Sequence, residues 1–152
     1  MSTRPSAAYI NRRAFPNGWN DSLDADAYHW IIEDKGQLVA SCRLCILTDL
    51  QQMEENFQQF KLPDGPHAFY SRLVVAKAYR GKGLGRKMDL VRLNFIRCQQ
   101  IVSILAWARN DRLLSLNKFG FKSLGALTIE YPNQKEIATA LHLDYRNNLL
   151  RE

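Results

Sequence analysis

Val75-Ala76-Lys77-Ala78-Tyr79-Arg80-Gly81-Lys82-Gly83-Leu84-Gly85 is the stretch on which the reading of this chain turns. Before it lies Phe69–Val75, an aromatic and β-branched run that reads as a strand buried on both faces. After it, over about Gly83–Gln100, the positions Leu84, Met88, Val91, Phe95 and Cys98 recur at spacings of four and three, one face of a helix. Arg86, Lys87, Asp89, Arg92 and Arg97 fall on the other faces. Three glycines in five residues at a strand-to-helix junction let the backbone approach a ligand closely and turn its N–H groups inward. The first four N–H groups of a helix have no intrahelical partner, and the helix dipole favours negative charge there. Arg80, Lys82 and Arg86 add full positive charges, so the expected occupant is a phosphate. Two commoner phosphate loops do not fit. A P-loop needs a Lys followed by Ser or Thr after its last glycine, and a dinucleotide fingerprint needs Gly-x-Gly-x-x-Gly, whereas this loop runs Gly-x-Gly-x-Gly.

Working outward, Ile101–Trp107 reads as a second buried strand. Strand, helix and strand over about 40 residues make a right-handed crossover, which sets the two strands parallel. A short helix is expected from about Asp111 to Phe119, closed by Gly120, then strands at Phe121–Glu130 and Ile137–Asp144 around a turn at Pro132-Asn133-Gln134. Upstream, Tyr28–Glu33 and Gln37–Leu47 form a hairpin around Asp34-Lys35-Gly36. Thr48 is expected to cap a helix over Asp49–Phe60, and Pro63-Asp64-Gly65-Pro66 breaks the chain. Residues 1 to about 20 are polar and turn-rich, a peripheral segment of what reads as one domain over 1–152. The class is α/β (α+β), a mixed central sheet flanked by helices.

Apolar residues make up 46% and charged residues 24% of the 152, an ordinary globular composition. With neither a membrane-length apolar run nor a signal peptide, the expectation is a cytoplasmic protein with no membrane partner. Cys42 and Cys45 share a strand and, three apart, point to opposite faces, so they read as small buried hydrophobes rather than half of a zinc site. No metal is expected. The formal net charge of +6 suits an anionic partner, and the clearest basic cluster is the loop itself, which argues for a phosphate-rich ligand over nucleic acid.

The loop resembles the Arg/Gln-x-x-Gly-x-Gly/Ala signature of the GCN5-related N-acetyltransferases, with Arg80, Gly83 and Gly85 at its fixed positions. Leu73-Val74-Val75, the Tyr79-Arg80-Gly81 approach and Phe119-Gly120-Phe121 are similar to that family as well, and together the likeness covers roughly residues 28 to 144. It implies a parallel strand pair splayed at the cofactor site. It also implies acetyl-CoA or coenzyme A as acyl donor, with the pantetheine arm along Leu73, Val74 and Val75 and the pyrophosphate on Arg80, Gly81, Lys82, Gly83, Leu84, Gly85 and Arg86. Asn110 is implied as a further cofactor contact, one position out of register. A primary amine, on a small molecule or a peptide, would attack the thioester directly; a homodimer is compatible with all of this.

The sequence departs from the family where protons move. His67–Arg72 holds no carboxylate to act as base, and Leu116 stands where the family has a Tyr acid. Tyr70, Ser71, Glu33 and Asp111 are the candidates to replace them. Ser71-Arg72-Leu73-Val74-Val75, the helix expected at 49–60 and Asp24-Ala25-Asp26 are also similar to the acyl-homoserine-lactone synthase and N-acyl amino acid synthase branch, which implies acyl carrier protein as an alternative donor. A third expectation is a binding module that keeps the cofactor but has lost turnover.

Overall fold

In the computed structural model, residues 2–3, 23, 26–109, 111–131 and 134–146 are described. The strands form a mixed sheet flanked by helices, with one parallel pair, as the sequence pattern requires. The chain divides into two compact units, each built from two stretches: Met1–Cys45 with Tyr70–Cys98, and Ile46–Phe69 with Gln99–Glu152.

In the first unit β1 (Ser2–Thr3) pairs antiparallel with β2 (Tyr28–Asp34), and β2 with β3 (Gln37–Leu47). The hairpin turns through Lys35 (φ 53°) and Gly36 (φ 77°). Positive φ at both central residues is the requirement of a type I′ turn, whose twist matches that of the strands it joins. Next to β3 runs β4 (His67–Val75). Arg43 meets Ser71 while the earlier Val39 meets the later Ala76, so the two are antiparallel. Helix α1 (Leu84–Ile96) follows, starting one residue after Gly83 and ending before the expected Gln100. Phe95 packs at a tilt against Tyr28 and edge-to-face against Trp30, with ring centroids 4.6 and 5.3 Å apart. Cys42 and Cys45 are both buried, and the Cys42 thiol donates to Met88 Sδ at 3.5 Å.

One expectation for α1 is corrected. Asp89 and Arg92 do not lie on outer faces but are buried with Met88 and Ile96, Arg92 at 0% exposure. An isolated buried guanidinium is prohibitively costly, and the surroundings remove that cost. Arg92 Nη2 donates to Asp89 Oδ1 at 2.8 Å, its Nη1 to the Arg43 carbonyl at 3.0 Å, and its plane lies 4.1 Å from the Tyr70 ring centre. Because Asp89 and Arg92 are three apart, both reach the same helix face. Arg92→Ala removes the guanidinium that the buried Asp89 carboxylate pairs with and should cost about 3–5 kcal/mol in urea unfolding; Arg92 and Asp89 replaced together by Leu should recover most of it.

The second unit carries the parallel pair, β4 with β5 (Ser103–Ala108), over His67↔Ser103, Ala68↔Ile104 and Phe69↔Leu105. Helix α2 (Asp111–Lys118) follows and is closed by Gly120 (φ 103°), as expected. β6 (Lys122–Tyr131) and β7 (Gln134–Asp144) form a hairpin, with β7 lying antiparallel against β5. Its turn residues Pro132 and Asn133 lie outside the described residues, as does most of the segment 1–20. The helix expected at Asp49–Phe60 is instead two 3-10 turns, Leu50–Gln52 and Phe57–Gln59, and Asp49 rather than Thr48 is the cap. Asp49 and Gln52 close a capping box, but Phe57 alone of these six turn residues is buried, too little to hold an amphipathic helix against a core.

His67 and His142 sit on β4 and β7 within this unit. His142 Nε2 is 2.9 Å from Ser103 Oγ. Burial is the main cause holding both imidazoles below their usual proton affinity; His67 is lowered further by His142, and Asp64 partly opposes this. A depressed histidine pKa means the unfolded chain takes the proton first. Stability is therefore complete above the ordinary imidazole value of about 6.5 and falls as pH drops below it. The melting temperature should decrease between about pH 7.5 and about pH 5.5, and replacing both histidines by Gln should flatten that slope.

Candidate functional site

The site begins inside β4. Arg72 adopts φ 53°, a left-handed conformation that costs a side-chain-bearing residue roughly 1–2 kcal/mol. It interrupts the strand's alternation and separates His67–Ser71 from Leu73, Val74 and Val75. The network around Arg92 supports this break from below: Arg43 Nε donates to Ser71 Oγ at 2.8 Å, and Arg92 Nη1 reaches the Ser71 carbonyl at 3.5 Å.

Beyond Val75 the chain is pinned at each step. Ala76 N–H donates to the Val39 carbonyl (2.8 Å), a single 3-10 turn spans Lys77–Tyr79, and Arg80 Nε reaches back to the Val75 carbonyl (3.0 Å). Tyr79 Oη donates to Asp34 Oδ2 at 2.5 Å, tying the loop to the β2–β3 turn, and Lys82 Nζ stands 5.5 Å over the Tyr79 ring. The bond to the carboxylate is the leading cause raising the Tyr79 pKa. Gly81 (φ 77°) and Gly83 (φ 82°) then bend the backbone into α1, where Gly83 is the N-cap.

No side chain caps α1 and no acid lies in its first turn. The helix therefore begins with donor groups and positive dipole uncompensated by local carboxylates. A Cβ built on Gly81 or Gly83 meets nothing within 4 Å, so the loop faces open space. A Cβ on Gly85 would lie 3.7 Å from Leu73 Cδ2, an ordinary packing contact, so this end of α1 lies against β4. Lys82 and Arg86 are exposed beside this opening. An anion with several oxygens fits such a loop.

Of the candidates for proton transfer, Tyr70 and Ser71 are neighbours on β4 and both serve the buried network, Tyr70 Oη donating to the Asp89 carbonyl at 3.4 Å. Glu33 is exposed on β2. Asn110 lies outside the described residues, and Asp111 opens α2 with its side chain outside them. Leu116, where the resemblance has an acidic hydroxyl, is a core residue at 1% exposure. Sequence reasoning missed Asp34, Tyr79's partner, and the pair Asp89–Arg92. The only signal for the latter was Arg43, a charge in the middle of an apolar strand. Among the described residues no group of three or more His, Cys, Asp or Glu is placed to hold a metal, and no helix is long and apolar enough to cross a membrane.

A mixed sheet with one parallel pair, and a glycine-rich loop leading from β4 into a helix, are features of an acyltransferase fold. The chain belongs to the acetyltransferase (GNAT) family, whose model matches residues 3–140. Among solved structures it is similar to the Arabidopsis thaliana protein NAA60 in complex with a bisubstrate analogue (15% identity, TM-score 0.65, covering 94% of this chain and 97% of that one). It is similar to an acyl-CoA N-acyltransferase from Pseudomonas aeruginosa (18%, TM-score 0.58, 90% and 86%). It also resembles a CoA-dependent acyl-homoserine lactone synthase, BjaI, solved with SAM and isopentyl-CoA (23%, TM-score 0.60, 94% and 74%). At these identities the likeness is one of fold. A search of curated proteins by sequence finds no match.

Tyr79→Phe removes the hydrogen bond that ties the loop to Asp34, with a small effect on global stability because the bond is open to solvent. Amide exchange over Lys77–Gly83 should accelerate several-fold while β5 and β7 keep their protection. Unchanged loop exchange would show that the tie to Asp34 does not hold the loop.

Proposed function

We propose that this chain transfers an acyl group, acetyl in the simplest case, from acyl-CoA to a primary amine. The observation that carries this reading is the start of α1: three glycines, an N-terminus with no side-chain cap, and Lys82 and Arg86 beside it. When bound, the acyl-CoA supplies an activated thioester carbonyl. The amides from Gly81 to Arg86 would hold its pyrophosphate, and Lys82 and Arg86 would neutralise part of the charge. The backbone of Leu73, Val74 and Val75, set off from the rest of β4 by Arg72, would hold the extended arm in the manner of an added strand. Holding donor and acceptor in line supplies much of the rate without covalent participation by the protein.

Proton removal is the open part of the chemistry. Tyr70 and Ser71 are the nearest hydroxyls on β4, both already engaged, and neither is a strong base. Catalysis on this reading rests on positioning, with the amine delivered neutral, and its rate should rise with pH as the acceptor loses its proton.

Calorimetric titration with coenzyme A, acetyl-CoA and a long-chain acyl-CoA tests the reading. Acetyl-CoA should bind, and Lys82→Glu, at an exposed position, should weaken binding about tenfold or more with little change in melting temperature. Loss of no affinity in Lys82→Glu would remove the loop from the site. Binding of the long-chain ester alone would favour the acyl-homoserine-lactone-synthase-like reading, and binding of none would favour acyl carrier protein as donor. Cofactor binding without thiol release, across a panel of amines, would identify a non-catalytic binding module.

A further inference from the structure

The second unit contains a cavity of about 500 Å³ that plays no part in the reaction proposed above. It is of a size that holds a small organic molecule. Its wall comes from the segment between β3 and β4: the two 3-10 turns contribute Asp49, Gln58 and Phe60, and the Pro63–Pro66 break contributes Asp64 ahead of His67.

Two features show that this wall is built rather than left over. Gly125 sits at the register shift of β6 with φ 134°, and a Cβ there would come within 3.4 Å of Phe60 Cε1; the glycine lets the strand pass close to that ring. Gly65 has the same relation to His67, since its Cβ would lie 2.9 Å from the imidazole Cδ2. His67 is 2% exposed, and its Nδ1 has no hydrogen-bond partner among the described residues. A buried polar atom without a partner costs about 1–3 kcal/mol.

The chemistry of the wall selects the ligand. Asp49 and Asp64 bring two carboxylates; that of Asp49 accepts from the Gln51 amide at 2.9 Å and from the N3 amide of its capping box, and a carboxylate has about four acceptor sites. His67 does not cancel them, because burial favours its neutral form. On a chain with net charge +6, a cavity lined by two acids and neither Lys nor Arg is a local inversion of sign. A metal ion is a poor match, since no cluster of three ligating side chains is present among the described residues. The remaining lining includes Phe60, Leu62 and Pro66, an aromatic face and apolar surface suited to an alkylammonium.

We propose that this cavity binds a small organic cation, its ammonium held by Asp49 and Asp64 over the face of Phe60 and its apolar part against Leu62 and Pro66. The proposal stands apart from the acyl-transfer reading and is tested without any acyl donor. Amide spectra of the full chain would be followed during titration with n-butylammonium chloride, with sodium valerate and pentan-1-ol as anionic and neutral analogues and sodium chloride as a salt control. The ammonium should shift the amides of Asp49, Gln58 and Asp64 saturably, with affinity in the millimolar range, on the order of −4 kcal/mol. Asp64→Asn, an exposed substitution whose fold the same spectra report, should weaken binding about fivefold or more. Equal binding of pentan-1-ol or valerate, equal shifts with sodium chloride, shifts confined to other residues, or unchanged affinity in Asp64→Asn would each overturn the proposal. None of these outcomes bears on coenzyme A binding.

Discussion

A guanidinium with no exposure to water fixes the first unit. Arg92 has to satisfy its donors inside the protein, and it does so on Asp89, on the carbonyls of Arg43 and Ser71, and against the Tyr70 ring. Each partner constrains a different element. Asp89 and Arg92 set the rotation of α1 about its axis, Arg43 sets its height along β3, and Ser71 with Tyr70 sets β4 immediately before its left-handed residue. A hydrophobic contact tolerates sliding by an ångström, whereas hydrogen bonds to a buried charge do not. With α1 fixed in this way, the place where its first amides stand is fixed too, and so is the loop that delivers the chain to them.

That loop combines rigid and open parts. Ala76, Tyr79 and Arg80 are each held by a bond to β3, to the β2–β3 turn or to the end of β4, and the two glycines that follow are left facing open space. The anion site proposed for this loop would draw on that arrangement, because amides that are already oriented lose little entropy on binding. The second unit meets the opposite sign of charge with side chains instead, two carboxylates carried on the turn-rich segment before β4.

Much of the fold was legible because it is written in short-range pattern. The Asp34–Gly36 turn, the glycines at the head of α1, the Gly120 stop and the buried runs of β4 and β5 are local signals, and the structure places elements there within a few residues. The helix expected at Asp49–Phe60 failed although capping residues and good helix formers were present, because Met53 and Phe57 alone are buried there, too short a stripe to hold it. Asp89 and Arg92 were assigned to the outside because a charge in an amphipathic pattern is normally solvated, and nothing in α1 announces that two backbone carbonyls wait for it. The link between Asp34 and Tyr79, 45 residues apart, and the cavity that gathers Asp49, Asp64 and Gly125's neighbour Phe60, are products of tertiary packing with no sequence spacing of their own. The glycine-rich loop at the head of α1 was readable for the opposite reason: its residues are consecutive.

The interleaving of the two units has a consequence for how the protein is made. Neither unit is a continuous stretch: the first lacks α1 until residue 98 has been added, and the second begins at residue 46 and is completed only by the last strands. A chain emerging from the ribosome therefore cannot finish one half before starting the other, and no single cut yields a fragment that contains one whole unit alone. Arg92 arrives after Arg43 and Ser71 have already been synthesised, so their carbonyls receive its donors only once α1 is in place. A prematurely terminated product would leave strand edges open, the surfaces on which aggregation begins.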